Sequence, residues 1–242
     1  MTLTEGIENQ LTESEIDWNQ VPENFWPGYE FPLACRPLKI EDAQHLFPVM
    51  KRSAKMLKGY IGWAKYAPSW DYKTVVSFVN DHINDEFPRF HLIFTIGREV
   101  VGFGSLAPMS NPRDVQVALW VGLGHQGRGI GSWIVNVLEF YAFNVFGYDH
   151  VFYNHDSSNR SSGKLPQKLG YKFEGTFDEE KHAEKETGLW FSWVKPRPKG
   201  LPLGVIDTGD WGNWPETTFP WKCLTAPMSC LHWSRGGSGC MP

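Results

Sequence analysis

The most restrictive feature of the sequence is the stretch GHQGRGIGSW, residues 124–133, which has four glycines in ten positions. It follows the apolar run VALWVGL and precedes a long amphipathic segment, so it predicts a sharp turn from a strand into a helix. The first amides of such a helix have no partners within it and lie at the positive end of the helix dipole. Because glycines let a bulky anion approach these amides, the stretch predicts a site for a phosphate-bearing ligand.

Three phosphate-binding motifs compete for these residues. A P-loop requires a lysine and then a serine or threonine after its second glycine, but Gly129 is followed by Ile130. The dinucleotide pattern G-x-G-x-x-G is present over residues 122–127, yet antiparallel-looking strands precede it instead of strand–helix–strand units. The third motif, Q-x-x-G-x-G, fits residues 126–131.

Composition and charge exclude several classes of protein. The net charge is −4 and there is no block of Lys and Arg, which argues against nucleic acid as a partner. The first residues, MTLTEGIENQLTESEIDW, lack the basic start and apolar centre of a signal peptide. No apolar run approaches the length that spans a bilayer. We therefore expect a cytoplasmic protein with no membrane partner.

The cysteines do not suggest a disulfide framework or a metal site. There are four, Cys35, Cys223, Cys230 and Cys240, and three of them lie near the C-terminus. With His232 the last three have the spacing C-x6-C-x-H-x7-C, which fits no common zinc site. We expect free thiols and no metal.

Periodicity and turn residues divide the chain into three parts. Residues 1–29 read as a polar N-terminal arm, residues 30–196 as one folded domain, and residues 197–242 as an extension rich in Pro, Gly and Trp. Within the domain we predict strands at 31–38, 89–97, 99–107, 115–123, 150–156, 171–177 and 188–196, and helices at 43–57, 72–86, from Ser132 onward, and within 157–170. Pro48 predicts a kink or a split in the first helix.

This order of elements resembles the GNAT superfamily of N-acetyltransferases over residues 30–196. Within it, the segments RPLKIEDAQHLF, VALWVGLGHQGRGIGS, SSNRSSGKLPQKLGYKFEGTF and TGLWFSWV are most similar to the RimJ/RimL-type branch. The resemblance implies an α/β (α+β) fold with a mixed, mostly antiparallel sheet that splays at its central strand and is flanked by helices. It also implies acetyl-CoA as the co-substrate and transfer of the acetyl group to a primary amine.

The resemblance also assigns contacts to coenzyme A. The backbone of the splayed strand holds the pantetheine arm and the thioester, the glycine loop takes the pyrophosphate, and an asparagine beyond the next strand binds pantetheine. In this sequence these residues are Leu119, Trp120, Val121, Gln126, Gly127, Arg128, Gly129, Ile130, Gly131 and Asn159. For Arg128 a solvated side chain is an equal alternative.

By the same resemblance, Ser162 donates a proton to the leaving thiolate, directly or through water. Ser161 is a one-residue alternative, and a helix-cap hydroxyl is an equally good interpretation of Ser162. The aromatic residue that the family has nine positions further on is Tyr171.

The general base departs from the family pattern. Members of this branch often have a carboxylate in the central strand near Gln116, and an amide cannot accept the proton. A water-relayed base or a carboxylate elsewhere must then serve. Glu174, Glu179 and Glu180 lie in or after the strand that follows the short helix, and we select Glu180; a solvated run of charges explains them equally well. Two histidines next to the predicted cofactor site, His125 and His155, are expected to be exposed loop residues.

Three functions remain open at this point. We prefer transfer to a small-molecule amine by direct attack in a ternary complex, because an acidic protein with an aromatic pocket attracts cationic or aromatic amines. The alternatives are a protein N-terminal amine as acceptor and a non-catalytic module that binds acyl-CoA. A homodimer is compatible with each. The aromatic residues that would enclose the acceptor are Tyr60, Trp63, Tyr66, Trp70, Trp190 and Trp193, and we assign one or two of them to contact.

Overall fold

The structure is a computed structural model that describes residues 33–84 and 90–199. In this part of the chain the elements follow the predicted order, which confirms the predicted arrangement of strands and helices. They are β1 (Leu33–Pro37), α1 (Ala43–Leu57), α2 (Tyr72–Ile83), β2 (Phe90–Ile96), β3 (Glu99–Pro108), β4 (Asp114–Val121), α3 (Ile130–Phe140), β5 (His150–Asp156), α4 (Arg160–Lys168), β6 (Lys172–Asp178) and β7 (Leu189–Pro196).

The seven strands form one mixed sheet in the order β1-β2-β3-β4-β5-β7-β6. β2–β3, β3–β4, β5–β7 and β6–β7 pair antiparallel, whereas β4–β5 is parallel. The parallel pairing ends at Val117 and Tyr153. β4 nevertheless stays paired with β3 as far as Val121, and β5 stays paired with β7 as far as Asp156. The two strands therefore diverge in the middle of the sheet, and the predicted splay is confirmed.

The two faces of the sheet bury different helices. Gly102 and Gly104 in β3 face α3, because a Cβ on either residue would lie 2.8 Å from side-chain carbons of Ile134. Residues alternate across a strand, so Phe103 and its partner Trp120 lie on the opposite face, within a buried cluster that α1 and α2 cover. The glycines thus let the helix that follows the loop lie directly against the sheet.

Pro48 does not split the first helix. α1 is continuous from Ala43 to Leu57, so the predicted division into two helices is wrong. Pro48 is the sixth residue, so it removes a hydrogen bond near the start of the helix, and the apolar side of α1, with Leu46, Val49 and Met50, is buried. Burial of this apolar side against the sheet stabilises α1 as a single continuous helix.

Several predictions lie outside the described residues. The N-terminal arm, residues 200–242 of the extension, and the residues considered for zinc, Cys223, Cys230, His232 and Cys240, belong to this group. Cys35 is a free, buried thiol, and burial raises its pKa to about 12. Among the described helices, none is both long enough and apolar enough to cross a bilayer.

Candidate active site

The glycine loop connects β4 directly to the N-terminus of α3. Gly124, Gly127 and Gly129 have φ angles of 88°, 73° and 85°, in the region that favours glycine. Gly129 is the N-cap of α3 and no side chain caps the helix. The amide of Trp133 bonds to the carbonyl oxygen of Gly129 (3.0 Å), so the amides before it precede the first turn of hydrogen bonds.

The side chain of Gln126 holds the loop in shape. Its Oε1 accepts from the amide of Gly124 (3.2 Å), and its Nε2 donates to the carbonyl oxygens of Val121 (2.8 Å) and Gly122 (2.5 Å). The start of the loop is also fixed to α1, because the amide of Leu123 donates to Ser53 Oγ (2.9 Å). Gln126 therefore fastens the loop to the end of β4.

The loop fits a pyrophosphate group. A Cβ at Gly124 or Gly127 would have no atom within 4 Å, so the space in front of both residues is open. Arg128 is exposed beside them. Uncapped amides at a helix N-terminus, glycines with open space and an adjacent guanidinium group are a donor set for an anion with several oxygens.

The splay lies directly upstream of the loop on the same strand. Leu119, Trp120 and Val121 occupy the part of β4 that has separated from β5. At the base of the opening the amide side chains of Gln116 and Asn154 meet, with Asn154 Nδ2 donating to Gln116 Oε1 (3.1 Å). Asn154 was not predicted from the sequence, because a polar residue in a strand does not indicate what lies across the sheet.

The entry to α4 brings Asn159 and Ser162 together. Asn159 is the N-cap, and its Oδ1 accepts from the amide of Ser162 (3.1 Å), so the cap is the asparagine side chain and not the serine hydroxyl. Ser162 Oγ lies 2.8 Å from the hydroxyl oxygen of Tyr153. Tyr153 is buried, and burial raises its pKa to about 12, so the phenol keeps its proton at neutral pH. Ser161 is exposed.

His155 lies in β5 and is buried, so the expectation of an exposed loop residue is wrong for it. Trp193 Nε1 lies 3.1 Å from His155 Nε2, and His155 Nδ1 lies 2.9 Å from the carbonyl oxygen of Asp156. An indole N–H only donates, so Nε2 accepts and Nδ1 carries the proton. Burial lowers the pKa of His155, which keeps the ring neutral. His125 does lie in the loop, but its side chain is only 13% exposed, with Nε2 3.4 Å from Glu99 Oε1, so the expected exposure is wrong for it as well.

Asp156, at the end of β5, organises the residues that lead into α4 and β7. Its carboxylate accepts from the amide and hydroxyl of Ser158, the amide and hydroxyl of Thr187, and the amide of Gly188, at 2.7–3.1 Å. Burial raises the pKa of Asp156, but these donors outweigh it and lower the pKa to about 2. The carboxylate thus fixes the turn that presents Asn159 and Ser162.

The connection from α1 to α2 is joined to the loop from β6 to β7. The amide of Lys185 donates to the carbonyl oxygen of Gly59 (2.9 Å), and the amide of Glu184 donates to that of Lys58 (3.2 Å). Lys58 Nζ also contacts Glu184 Oε1 at 3.0 Å. We call this contact, between residues 58–65 and 182–185, the loop bridge. Glu180 lies exposed in the same β6–β7 loop.

A cavity of about 190 Å³ lies between the sheet and helices α1 and α2. It is lined by Leu38, Leu46, Met50, Ile61, Trp63, Phe78, Val79, His82, His91, Phe103, Ser105, Ala118, Leu119 and Trp120. Of the six aromatic residues considered for the acceptor, Trp63 is the one in this lining. Tyr66 is exposed, Tyr60 donates to the carbonyl oxygen of Ser158 (3.1 Å), and Trp193 holds His155.

Comparison with known proteins identifies the relatives of this fold. The family model described as the acetyltransferase (GNAT) domain matches residues 33–172, which is more than half of the chain. Among curated proteins, no sequence matches the chain significantly.

Solved structures with the same fold include acetyltransferases with different acceptors. A RimL ribosomal L7/L12 alpha-N-protein acetyltransferase bound to coenzyme A has a TM-score of 0.62 and 14% identity, over 68% of this chain and 94% of that one. The ribosomal-protein-S5-alanine acetyltransferase from Vibrio fischeri has a TM-score of 0.55 and 18% identity, over 70% of this chain and 96% of that one. The spermidine N-acetyltransferase from Vibrio cholerae, in complex with coenzyme A and spermine, has a TM-score of 0.56 and 16% identity, over 68% of this chain and 95% of that one. These structures confirm the predicted fold, and a RimL and a ribosomal-protein-S5-alanine acetyltransferase are among the proteins that share it.

Proposed function

The chain belongs to the GNAT family of acetyltransferases, and from this premise we propose that it transfers the acetyl group of acetyl-CoA to the primary amine of a small molecule. The transfer is a direct attack in a ternary complex. One observation carries the proposal: β4 separates from β5 after Val117 and leads, within a few residues, into an open glycine loop at a helix N-terminus. Acetyl-CoA is an extended molecule with a thioester at one end and a pyrophosphate further along. It therefore requires two adjacent sites, and the separated part of β4 and the glycine loop provide them.

The loop bridge and the cavity support a small acceptor. An acceptor peptide would lie in a groove between the early helices and the late strands, and backbone hydrogen bonds from Glu184 and Lys185 join the two sides of that region. The cavity offers a concave, mostly apolar site beside β4. The RimL relative acts on a protein N-terminus and the Vibrio cholerae relative on spermidine, so family membership alone does not decide the acceptor.

The residues of the splay and of α4 have distinct roles in the proposed reaction. The backbone of Leu119–Val121 holds the pantetheine arm and the thioester carbonyl, where fixed donors stabilise the developing oxyanion. The glycine loop, from Gln126 to Gly131, takes the pyrophosphate, and Asn159 contacts the pantetheine arm. Ser162 directs its hydroxyl to the leaving sulfur, and Tyr153, 2.8 Å away, fixes the orientation of that hydroxyl.

Removal of the proton from the amine requires a base outside β4. Gln116 and Asn154 pair as neutral amides at the base of the splay, and neither accepts a proton. Glu180 is exposed in the β6–β7 loop, and we propose it as the proton acceptor, through water. Because both side chains are uncharged amides, β4 has no negative charge at Gln116, where relatives often have a carboxylate.

The proposed function predicts saturable binding of acetyl-CoA and release of free thiol when a primary amine is added. Calorimetry with acetyl-CoA tests the first step. A thiol assay with small primary amines and with peptides that have free N-termini tests the second. Binding without turnover on any amine would favour the non-catalytic alternative, turnover on peptides alone would favour the protein N-terminal alternative, and absence of binding would refute the proposal.

Ser162 and Tyr153 are predicted to act as one unit. Ser162→Ala should lower kcat at least ~10-fold, as loss of a proton donor does. Tyr153→Phe should lower kcat several-fold with little change in the KM for acetyl-CoA, since the tyrosine acts only through the serine. A double-mutant cycle measures this: in the Ser162→Ala background, Tyr153→Phe should have no further effect on kcat.

Tyr141→Phe is the matched control for this cycle, because Tyr141 is also a buried tyrosine but packs on Phe90 and Phe146. It should leave kcat unchanged. If the effects of the two site variants on kcat multiply independently, Tyr153 does not act through Ser162.

A further inference from the structure

We infer that the cavity between the sheet and helices α1 and α2 is the binding site for the body of the acceptor, and that the acceptor is a primary arylalkylamine whose ring carries an O–H or N–H donor. The inference rests on the proposed function and names the substrate class for it. The cavity, its mouth and its polar groups each contribute a separate observation.

The size of the cavity argues for a ligand. The cavity has a volume of about 190 Å³ and is open on the side of Ala118, which is exposed. An apolar cavity of roughly 150 Å³ already admits one aromatic ring.

The mouth of the cavity lies at the splay. Ala118, Leu119 and Trp120 form part of the wall, and they belong to the portion of β4 that has separated from β5. Ala118 is exposed, whereas Ser105, its partner on β3, is 7% exposed. A ligand in the cavity therefore has one end among buried side chains and the other end beside the proposed thioester position, where the amine must lie.

The wall of the cavity consists largely of aromatic rings in mutual contact. Trp63 contacts Trp120 edge to face at 5.8 Å between ring centroids and Phe78 at 6.1 Å. Phe103 is stacked parallel to Trp120 at 6.2 Å. An aromatic ring packed against this surface gains stacking and edge-to-face contacts that a polyamine chain does not make.

Two imidazoles and one hydroxyl interrupt this apolar wall. His82 Nδ1 lies 2.8 Å from the carbonyl oxygen of Phe78, so Nδ1 is the donor and Nε2 is the ring nitrogen that serves as an acceptor. The His91 ring lies 5.1 Å from the His82 ring, and Ser105 pairs with His91 in the sheet. An acceptor nitrogen in an aromatic wall is complementary to a phenol O–H or an indole N–H.

The experiment compares four probe amines, each with acetyl-CoA: tyramine, tryptamine, 2-phenylethylamine and spermidine. Tyramine and tryptamine are expected to have kcat/KM about 10-fold or more above 2-phenylethylamine, because 2-phenylethylamine lacks the ring donor. Spermidine is expected to be the poorest of the four. The full chain is used throughout.

His82→Leu distinguishes recognition from folding. It should reduce the ratio of kcat/KM for tyramine to that for 2-phenylethylamine from about 10 to about 1. A general disturbance of α2 would lower both values and leave the ratio unchanged. His45→Leu, at an exposed histidine on α1, is the matched control and should leave the ratio as in the wild type.

The outcomes separate this inference from the proposed function. If spermidine is acetylated and the aromatic amines are not, the inference is wrong and the proposed function stands, whereas turnover on peptides alone overturns both the inference and the small-molecule acceptor. An unchanged ratio in His82→Leu also overturns it. If acetyl-CoA does not bind and no amine releases thiol, both fail together.

Discussion

Replacing Gly127 with valine is expected to weaken the binding of acetyl-CoA by at least ~30-fold. Gly127 has a φ of 73° and lies between the end of β4 and the N-terminus of α3. A Cβ there would meet no protein atom within 4 Å, so the new side chain occupies the open space in front of the loop, where the pyrophosphate is proposed to lie. Loss of several charge-assisted hydrogen bonds accounts for an effect of this size. Calorimetry with acetyl-CoA measures it.

Gly170→Val is the matched control for this variant. Gly170 follows α4, has a φ of 80° and also has no atom within 4 Å of an added Cβ. Both substitutions carry the same kind of backbone strain, about 1–2 kcal/mol, so both proteins should lose similar stability. Acetyl-CoA should bind to Gly170→Val within a few-fold of the wild-type affinity. Equal weakening in the two variants would mean that strain, and not obstruction of the loop, is responsible.

Replacing Asp156 with alanine is expected to lower the free energy of unfolding by about 3 kcal/mol. The carboxylate accepts hydrogen bonds from five donors on Ser158, Thr187 and Gly188 and is buried. Without it these donors are left without their acceptor, and the turn before Asn159 loses its support. Urea unfolding measures the change, and Asp81→Ala, at an exposed position on α2, should change stability by less than ~0.5 kcal/mol.

The low pKa of Asp156 also predicts a dependence of stability on pH. An unfolded aspartate has a pKa near ~3.9, and the folded value is about 2. Because the folded pKa is the lower one, the ionised carboxylate stabilises the fold at pH values above about 4, and this contribution is lost as the pH falls through about 2. Asp156→Asn should therefore lose less stability than the wild type between pH 4 and pH 2. Parallel curves for the two proteins would contradict the assignment.

The local sequence pattern was sufficient to predict a structural feature when all the residues that form it are neighbours in the chain. The apolar runs at 89–97 and 99–107 predicted β2 and β3, and the glycines of residues 124–131 predicted the junction of β4 with α3. Of the two alternatives predicted at Pro48, a kink or a split, the split is wrong, because the rule that proline interrupts a helix does not include burial of the apolar side of α1. His155 was misjudged because its neighbours in sequence do not show that Trp193 and Gly163 lie against it.

The sequence by itself determined the order of strands and helices and the position of the glycine loop, because hydrophobic periodicity and the backbone freedom of glycine act over a few neighbouring residues. Only the tertiary structure decided which side chains meet. Gln116 and Asn154, Tyr153 and Ser162, and Asp156 and Thr187 are paired by strand register and by the packing of α4 and the β6–β7 loop. The paired residues are 9 to 38 positions apart in the chain. Because the pairing is set by how the elements pack, no local sequence pattern specifies it.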